Sequence, residues 1–304
     1  MKIINLRFLF LLSLLAASPL QAKTYQVYFL GGQSNMVGFG FNRDLPEVLQ
    51  SPISKVRIFN GAPRMDEATD GGNGHWTALQ PGFGLNSDYQ SGKYVFSDRF
   101  GPEVSFGHTI QQLAPDENVA LIKYAWGGSA LVDGASGFGS WDPNVSKVNQ
   151  YDYFLNAVSQ ALGTADIDGD GEEDTLVPAG ILWMQGEADA FDNERAAVQY
   201  LDNLNLQVKL MRAALHNNAL PVVIGRITDS KRGQAQTVMQ FSESVRNAQK
   251  AFTEIDRCAA LSTATEDFAY ADGDDWHYRS EGYIALGRDF AQKLHALKTQ
   301  CARG

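Results

Sequence analysis

The chain has 304 residues, of which 44% are hydrophobic and 20% are charged, so it can form a sizeable core and is not a disordered protein. Its 29 glycines and 10 prolines exclude collagen-like and low-complexity proteins. With 35 acidic and 25 basic residues, the formal charge is -10. This composition argues against a nucleic-acid partner, because neutralising phosphates requires clustered Lys and Arg.

The first 22 residues have the pattern of a secretory signal peptide. Lys2 and Arg7 precede the apolar run 8–17, and a break at Ser18 and Pro19 leads to a small residue, Ala22. We therefore predict cleavage after residue 22 and an exported protein, either periplasmic or secreted. No later segment reaches about 18 uninterrupted apolar residues, so no stable membrane anchor is expected. Removing two basic residues lowers the charge to about -12.

Alternating apolar runs and helical patterns follow in the mature chain. Runs rich in apolar and β-branched residues predict strands at 26–30, 56–59, 119–126, 180–184, 222–227 and 258–262. Helical spacing predicts helices at 102–113, 153–162, 194–216, 235–252 and 281–298. Several strands are apolar on both faces, as in a parallel sheet covered on both sides. We therefore predict an α/β fold of three layers.

No change in composition marks a second domain, so we expect one domain over residues 23–304. The stretch 60–100 is the exception to the regular pattern, because it is long, weakly periodic and rich in Gly, Asn and aromatic residues. Its aromatic side chains either form a surface for stacking on a sugar ring or fix the segment to the core. They are Trp76, Phe83, Tyr89, Tyr94 and Phe96.

Only two cysteines are present, Cys258 and Cys301. An oxidising compartment lets thiols pair, and the two lie too far apart in sequence for a local metal site. We predict a disulfide that ties the C-terminal tail to the last strand, a bridge worth roughly 4 kcal/mol in the chain-entropy model.

A serine stands where the first strand ends, in the run Gly31-Gly32-Gln33-Ser34-Asn35-Met36. In open α/β sheets ligands bind beyond the carboxyl ends of the strands, where such a turn exposes its hydroxyl. Taken alone, the same run is an ordinary strand-terminating turn. Met36 also replaces the second glycine of the Gly-x-Ser-x-Gly elbow, which disfavours an ordinary α/β-hydrolase.

Among five histidines, His277 alone has a carboxylate three residues before it and a predicted helix just after it, in the run Asp274-Asp275-Trp276-His277. A serine nucleophile needs an imidazole base, and that base needs a carboxylate to fix its tautomer. One short loop can supply both groups. In isolation, the segment is also explained as a polar loop that precedes a helix.

Two further strand ends carry candidate donors for an oxyanion. Gly127 and Gly128 follow the strand at 119–126, and Gln185 follows the strand at 180–184. Each is explicable as a turn, but their joint occurrence with Ser34 and His277 is harder to explain that way.

Taken together, these blocks resemble the SGNH-type carbohydrate esterases, the group that contains sialate O-acetylesterases and acetyl xylan esterases. The matching blocks are Gly32-Gln-Ser-Asn-Met36, Gly101-Pro-Glu103, Gly127-Gly128, Trp183-Met-Gln-Gly-Glu-Ala-Asp-Ala190 and Asp274-x-x-His277. The resemblance covers almost the whole mature chain. It implies a flavodoxin-like αβα sandwich, hydrolysis of acetyl esters on sugars and no cofactor for catalysis.

The same resemblance implies roles for individual residues. Ser34 would be the nucleophile, His277 the base and Asp274 its partner. The oxyanion hole would consist of the Ser34 and Gly128 amides together with Gln185. Asn35 and Glu187 would support the site, and for Glu187 a direct role and support of the Ser34 turn both remain open.

An acidic run lies outside this resemblance. Its carboxylates alternate around glycines as in the opening of an EF-hand loop, although Val177 stands where the bidentate Glu should be. A solvated acidic turn is the alternative to a structural calcium site. The candidate calcium ligands are Asp166, Asp168, Asp170 and Asp174.

The sequence thus predicts an exported serine esterase that acts on acetylated carbohydrate. The charge of the mature chain favours neutral xylan-like polymers over an anionic sialic acid. Two alternatives are kept: a lipolytic or thioester-cleaving SGNH hydrolase, and a non-catalytic, calcium-dependent carbohydrate-binding module.

Overall fold

The computed structural model describes residues 22–301, so all but the last residue of the expected signal peptide lies outside the described part of the chain. Within that part, the strands are β1 (Thr24–Gly32), β2 (Gly40–Phe41), β3 (Ile53–Asn60), β4 (Trp76–Leu79), β5 (Asp88–Gln90), β6 (Lys93–Val95), β7 (Arg99–Phe100), β8 (Asn118–Ala125), β9 (Thr175–Met184), β10 (Val222–Gly225) and β11 (Ala259–Ser262). The α-helices are α1 (Ser34–Val37), α2 (Glu103–Leu113), α3 (Gln150–Leu162), α4 (Glu187–Ala190), α5 (Glu194–Ala214), α6 (Ser242–Ile255) and α7 (Ser280–Cys301).

Seven strands form the central sheet, in the order β11-β10-β9-β1-β8-β3-β4. All neighbours pair in parallel except β4, which runs antiparallel to β3 at the edge. Strands β2 and β7 form a separate antiparallel pair, as do β5 and β6.

Helices flank the sheet because its inner strands are apolar on both faces. In β1, Tyr28 contacts Phe106 of α2, whereas its neighbour Phe29 contacts Phe154 of α3. Successive side chains of a strand point to opposite faces, so α2 and α3 lie on opposite sides of the sheet. Helix α7 packs against α2, and α5 packs against α6. The predicted α/β fold with a mainly parallel sheet is confirmed.

The segment 60–100 differs from a simple loop. It contains β4, which was not predicted because a four-residue edge strand leaves too short a pattern. Trp76 donates from its ring nitrogen to the Ala161 carbonyl at 2.9 Å, and Phe83 is fully buried. Trp76 and Phe83 therefore fix the segment to the core, whereas Phe96 is 45% exposed.

The carboxyl ends of the parallel strands meet at one edge of the sheet. There, the Gln33 amide donates to the Met184 carbonyl at 2.9 Å, and the Trp126 amide donates to the Gly32 carbonyl at 3.1 Å. Gly32 has a φ of +139°, and a Cβ at this position would collide with the Met184 backbone. Only glycine therefore lets the chain turn away from β1 so close to β9.

The predicted disulfide between Cys258 and Cys301 is present, with the two Cα atoms 5.4 Å apart. It joins the residue before β11 to the last residue of α7. Among the described helices, none has the length and apolar character needed to cross a membrane.

Candidate active site

Ser34 is the first residue of the short helix α1, directly beyond the end of β1. An amide in the first turn of a helix has no acceptor within that helix, so the Ser34 N–H is not used by α1. The residue is 7% exposed and lines a cleft of about 1140 Å³. Gly127 lies beside it, since a Cβ added there would be 3.6 Å from the Ser34 Cβ.

His277 lines the same cleft and is oriented by Asp274. Its Nδ1 lies 2.6 Å from Asp274 Oδ2, and Asp274 Oδ1 accepts from the backbone amides of Trp276 and His277. Burial lowers the pKa of His277, and it outweighs the opposing effect of the Asp274 carboxylate. The imidazole is therefore neutral at pH 7, as a general base must be.

The imidazole of His277 stacks on the ring of Phe39, with 3.5 Å between ring centroids and 6° between planes. The Arg99 guanidinium holds the Phe39 backbone in place by donating to its carbonyl at 2.6 Å. Phe39 was not predicted from the sequence, because a lone aromatic residue between two glycines carries no local signal for such a contact.

Asn35 joins the serine turn to the histidine loop. Its Nδ2 donates to Glu187 Oε1 at 2.8 Å and to the Trp276 carbonyl at 3.1 Å, and its Oδ1 accepts from the Tyr283 hydroxyl at 2.9 Å. Glu187 is buried and does not line the cleft. Of the two roles left open for Glu187, the contacts favour support of the Ser34 turn.

Gly128 reaches the cleft, whereas Gln185 does not. Gly128 has a φ of +74°, a conformation that L-residues other than Asn and Asp rarely adopt. The side-chain amide of Gln185 is fully buried and donates to Asp189 at 2.6 Å and to the Ser129 carbonyl at 3.1 Å. The expected donation from Gln185 to an oxyanion therefore does not fit this geometry, because Asp189 occupies the amide.

The neighbouring Gln33 does line the cleft, although only its motif was noted from the sequence. Its Oε1 accepts from the backbone amides of Gly186 and Ala188 at 3.3 and 3.2 Å. These two bonds fix the orientation of the carboxamide of Gln33, the residue before Ser34.

A family model described as carbohydrate esterase, sialic acid-specific acetylesterase, matches residues 24–296. The chain belongs to this carbohydrate esterase family. This match confirms the resemblance found in the sequence blocks. It also confirms that the protein is an esterase and argues against the non-catalytic binding module. No curated protein matches the chain in sequence.

Solved structures similar to this esterase share its fold. A protein from Arabidopsis thaliana has a TM-score of 0.62 at 21% identity, covering 90% of this chain and 98% of its own. A carbohydrate acetylesterase from Xanthomonas citri has a TM-score of 0.60 at 17% identity, covering 92% and 57%. NanS has a TM-score of 0.56 at 15% identity, covering 90% and 98%.

The acidic run of this esterase lies away from the cleft, where it precedes β9. Carboxylate oxygens of Asp166, Asp168 and Asp174 lie within 4.8 Å of one another, so this cluster can bind a metal ion. Asp170, the fourth expected ligand, lies outside that group and contacts the Lys23 ammonium instead. Lys23 also contacts Asp168 at 2.5 Å and thereby neutralises part of the cluster.

Proposed function

We propose that this esterase removes acetyl groups from carbohydrate hydroxyls through an acetyl-serine intermediate, with Ser34 as nucleophile and His277 as general base. The proposal is carried by the hydrogen bond from Asn35 to the Trp276 carbonyl, 3.1 Å long. This bond ties the residue after the nucleophile to the residue before the base, and both functional side chains line one cleft. Asp274 is the carboxylate that orients the base.

In the proposed reaction, the Ser34 hydroxyl oxygen attacks the acetyl carbonyl carbon while His277 Nε2 accepts the hydroxyl proton. The bond between the carbonyl carbon and the sugar oxygen then breaks, and His277 returns the proton to that oxygen. Water attacks the acetyl-serine by the same route, which releases acetate and restores the hydroxyl.

The developing oxyanion would be stabilised by donors on the cleft wall. The Ser34 amide is free of helical hydrogen bonding, and the Gly128 amide lies on the adjacent turn. The Gln33 carboxamide, whose oxygen accepts from the Gly186 and Ala188 amides, would supply a third donor from its nitrogen. Removing one such donor typically lowers kcat by about 10² to 10³.

Single substitutions test this assignment. We expect Ser34→Ala and His277→Ala to lower kcat for p-nitrophenyl acetate by on the order of 10⁴. Asp274→Asn should also lower kcat strongly, since it presents the wrong partner to Nδ1. His295→Ala is a matched control, because His295 is exposed on α7 and should retain full activity.

Acetate release from acetylated xylan or O-acetylated sialic acid should fall in parallel in these variants. A folded Ser34→Ala protein that keeps wild-type turnover would rule out the acetyl-serine mechanism.

We propose that the esterase is exported as a single domain after removal of residues 1–22. A disulfide is present between Cys258 and Cys301, and disulfides persist in oxidising compartments. Mass spectrometry of protein recovered from its native host would give a mature N-terminus at Lys23; a protein that starts at Met1 would contradict export by cleavage.

The acidic cluster is proposed as a structural calcium site formed by Asp166, Asp168 and Asp174. An ion that binds only the native state raises Tm with its concentration. We therefore expect CaCl₂ to raise Tm in a thermal melt and a chelator to reverse the rise. Asp166→Asn should remove the response, and a wild-type Tm that is the same with calcium and with chelator would refute the site.

A further inference from the structure

The charge on the wall of the cleft points to the substrate class. Among the described residues that line the cleft, the side chains with a fixed charge are Arg64, Asp88 and Asp192. A substrate carboxylate bound in the cleft would therefore meet two carboxylates and one guanidinium.

The guanidinium of Arg64 is already engaged. Its Nε donates to both oxygens of Asp70 at 3.1 and 3.0 Å, and its Nη1 donates to Asp88 at 2.7 Å and to the Pro63 carbonyl at 2.8 Å. Two carboxylates thus neutralise the one cation, and the ion pairs hold it against the wall. Arg binds a carboxylate through two parallel donors on one planar edge, and each such edge of Arg64 already has one donor engaged, Nε on one edge and Nη1 on the other.

Asp192 adds a further negative charge to the cleft wall, next to an exposed aromatic residue. It is exposed and follows Phe191, which is 44% exposed and also lines the cleft. Phe138, which also lines the cleft, is 60% exposed. These rings provide apolar surface for the C–H faces of a sugar, whereas Asp192 repels an anionic substituent.

We propose that the cleft selects O-acetylated neutral carbohydrate and discriminates against sugars that carry a carboxylate. Asp192 and the pair formed by Asp88 and Arg64 are the residues that set this preference. The inference rests on the proposed function, because it concerns the same cleft and the same ester hydrolysis.

The test compares one sugar with and without its charge. Acetate release is measured from O-acetylated sialic acid and from its carboxyl methyl ester, which differ only at the carboxylate. We expect kcat/KM to be about tenfold or more higher for the methyl ester, the ratio expected for like charges several Å apart near a protein surface. Acetylated xylo-oligosaccharide should be hydrolysed at least as well as the methyl ester.

Variants separate the cleft from the overall charge of the protein. Asp192→Asn should reduce the ratio several-fold by improving turnover of the acid. Asp116→Asn makes the same change in net charge on an exposed loop before β8, outside the cleft, and should leave the ratio unchanged. Arg64→Gln should increase the ratio, because it leaves Asp88 unneutralised.

Hydrolysis of the acid as fast as its methyl ester, or faster, would overturn the proposal. So would an Asp192→Asn variant that leaves the ratio unchanged, since that result would show that Asp192 does not set the preference. Wild-type turnover of p-nitrophenyl acetate is measured in parallel. If Ser34→Ala retains that turnover, the proposed mechanism fails, whatever the ratio between the two sugars.

Discussion

Among single residues, Phe39 directly affects the environment of His277, because its ring stacks on the imidazole. The ring covers one face of the imidazole at a centroid distance of 3.5 Å, and this covering excludes water. A cationic imidazole loses hydration there, which agrees with the lowered pKa of His277. Phe39 thus acts as a positioning residue through the imidazole that we propose as the base.

The pH dependence of activity follows from this contact. Because only the neutral imidazole accepts a proton, kcat/KM should rise with pH, with the midpoint of the acid limb below the usual histidine pKa of 6.5. Phe39→Ala opens the ring to water, so the midpoint should move up towards 6.5 and kcat/KM should fall several-fold.

The matched control for this substitution is Phe96→Ala, since Phe96 is 45% exposed and lies outside the cleft wall. It should keep the wild-type profile. An acid limb that stays in place in Phe39→Ala would show that the stacked ring does not set the pKa of the base.

The residues of the proposed mechanism could be identified from the sequence because each lies in a local pattern. Ser34 follows a strand that ends in two glycines, and His277 follows Asp274 by three positions. Gln185 was assigned a donor role from its motif alone. The motif does not show that Asp189, four residues later, accepts from its amide. Such pairing is decided by tertiary packing, as is the stack on Phe39.

A buried ion pair couples separate elements next to the cleft. Lys123 of β8 and Glu103 of α2 are fully buried and lie 2.8 Å apart. Lys123 Nζ also donates to the carbonyls of Val37 and Phe83 at 2.8 and 2.9 Å. The carbonyl of Val37 belongs to α1, so the ammonium fixes the end of the helix that starts with the proposed nucleophile.

Removing one partner of this pair should be far costlier than removing a surface lysine. Lys123→Met leaves the Glu103 carboxylate buried without its cation, so we expect a loss of about 3 to 5 kcal/mol in the free energy of unfolding. The same change at Lys250, which is 60% exposed and pairs with Glu254, should cost about 0 to 1 kcal/mol.

Urea denaturation measures both variants. The double variant Lys123→Met with Glu103→Gln should recover part of the loss, because no unpaired charge remains. If the two lysine substitutions lowered the free energy of unfolding equally, burial would not be the reason for the large loss expected at Lys123.

At the level of elements, the sequence predicted the inner strands well, since a buried parallel strand shows as a continuous apolar run. The edge strand β4 was not predicted. β4 pairs with β3 only through a register that shifts between Ile53 and Arg57, and no local pattern encodes that shift. Helix α6 starts at Ser242, later than the expected residue 235, because residues 235–241 form turns and bends instead.

For the whole molecule, the disulfide closes the C-terminal part of the chain onto the sheet. It joins Cys258, before β11, to Cys301 at the end of α7. The sequence sufficed to predict this bond, because the chain has only two cysteines and an oxidising compartment was expected.

Loss of the disulfide should be seen in stability more than in activity. We expect Cys258→Ser with Cys301→Ser to lower the free energy of unfolding by about 2 to 4 kcal/mol, because the unfolded chain gains freedom. Dithiothreitol should lower the wild-type Tm and leave that of the double variant unchanged. A reducing agent that shifts both proteins equally would indicate an effect unrelated to this bond.

The hydrogen bond between Asn35 and Trp276 spans 241 positions of the chain. During synthesis, the hydroxyl that we propose as nucleophile emerges early and the imidazole that we propose as base emerges almost last. For most of its elongation, the ribosome-bound chain therefore has only one of these two groups. Any fragment cut short before the final loop would then be inert towards esters. Under this proposal, only full-length copies of the protein would hydrolyse esters in the cell that makes them.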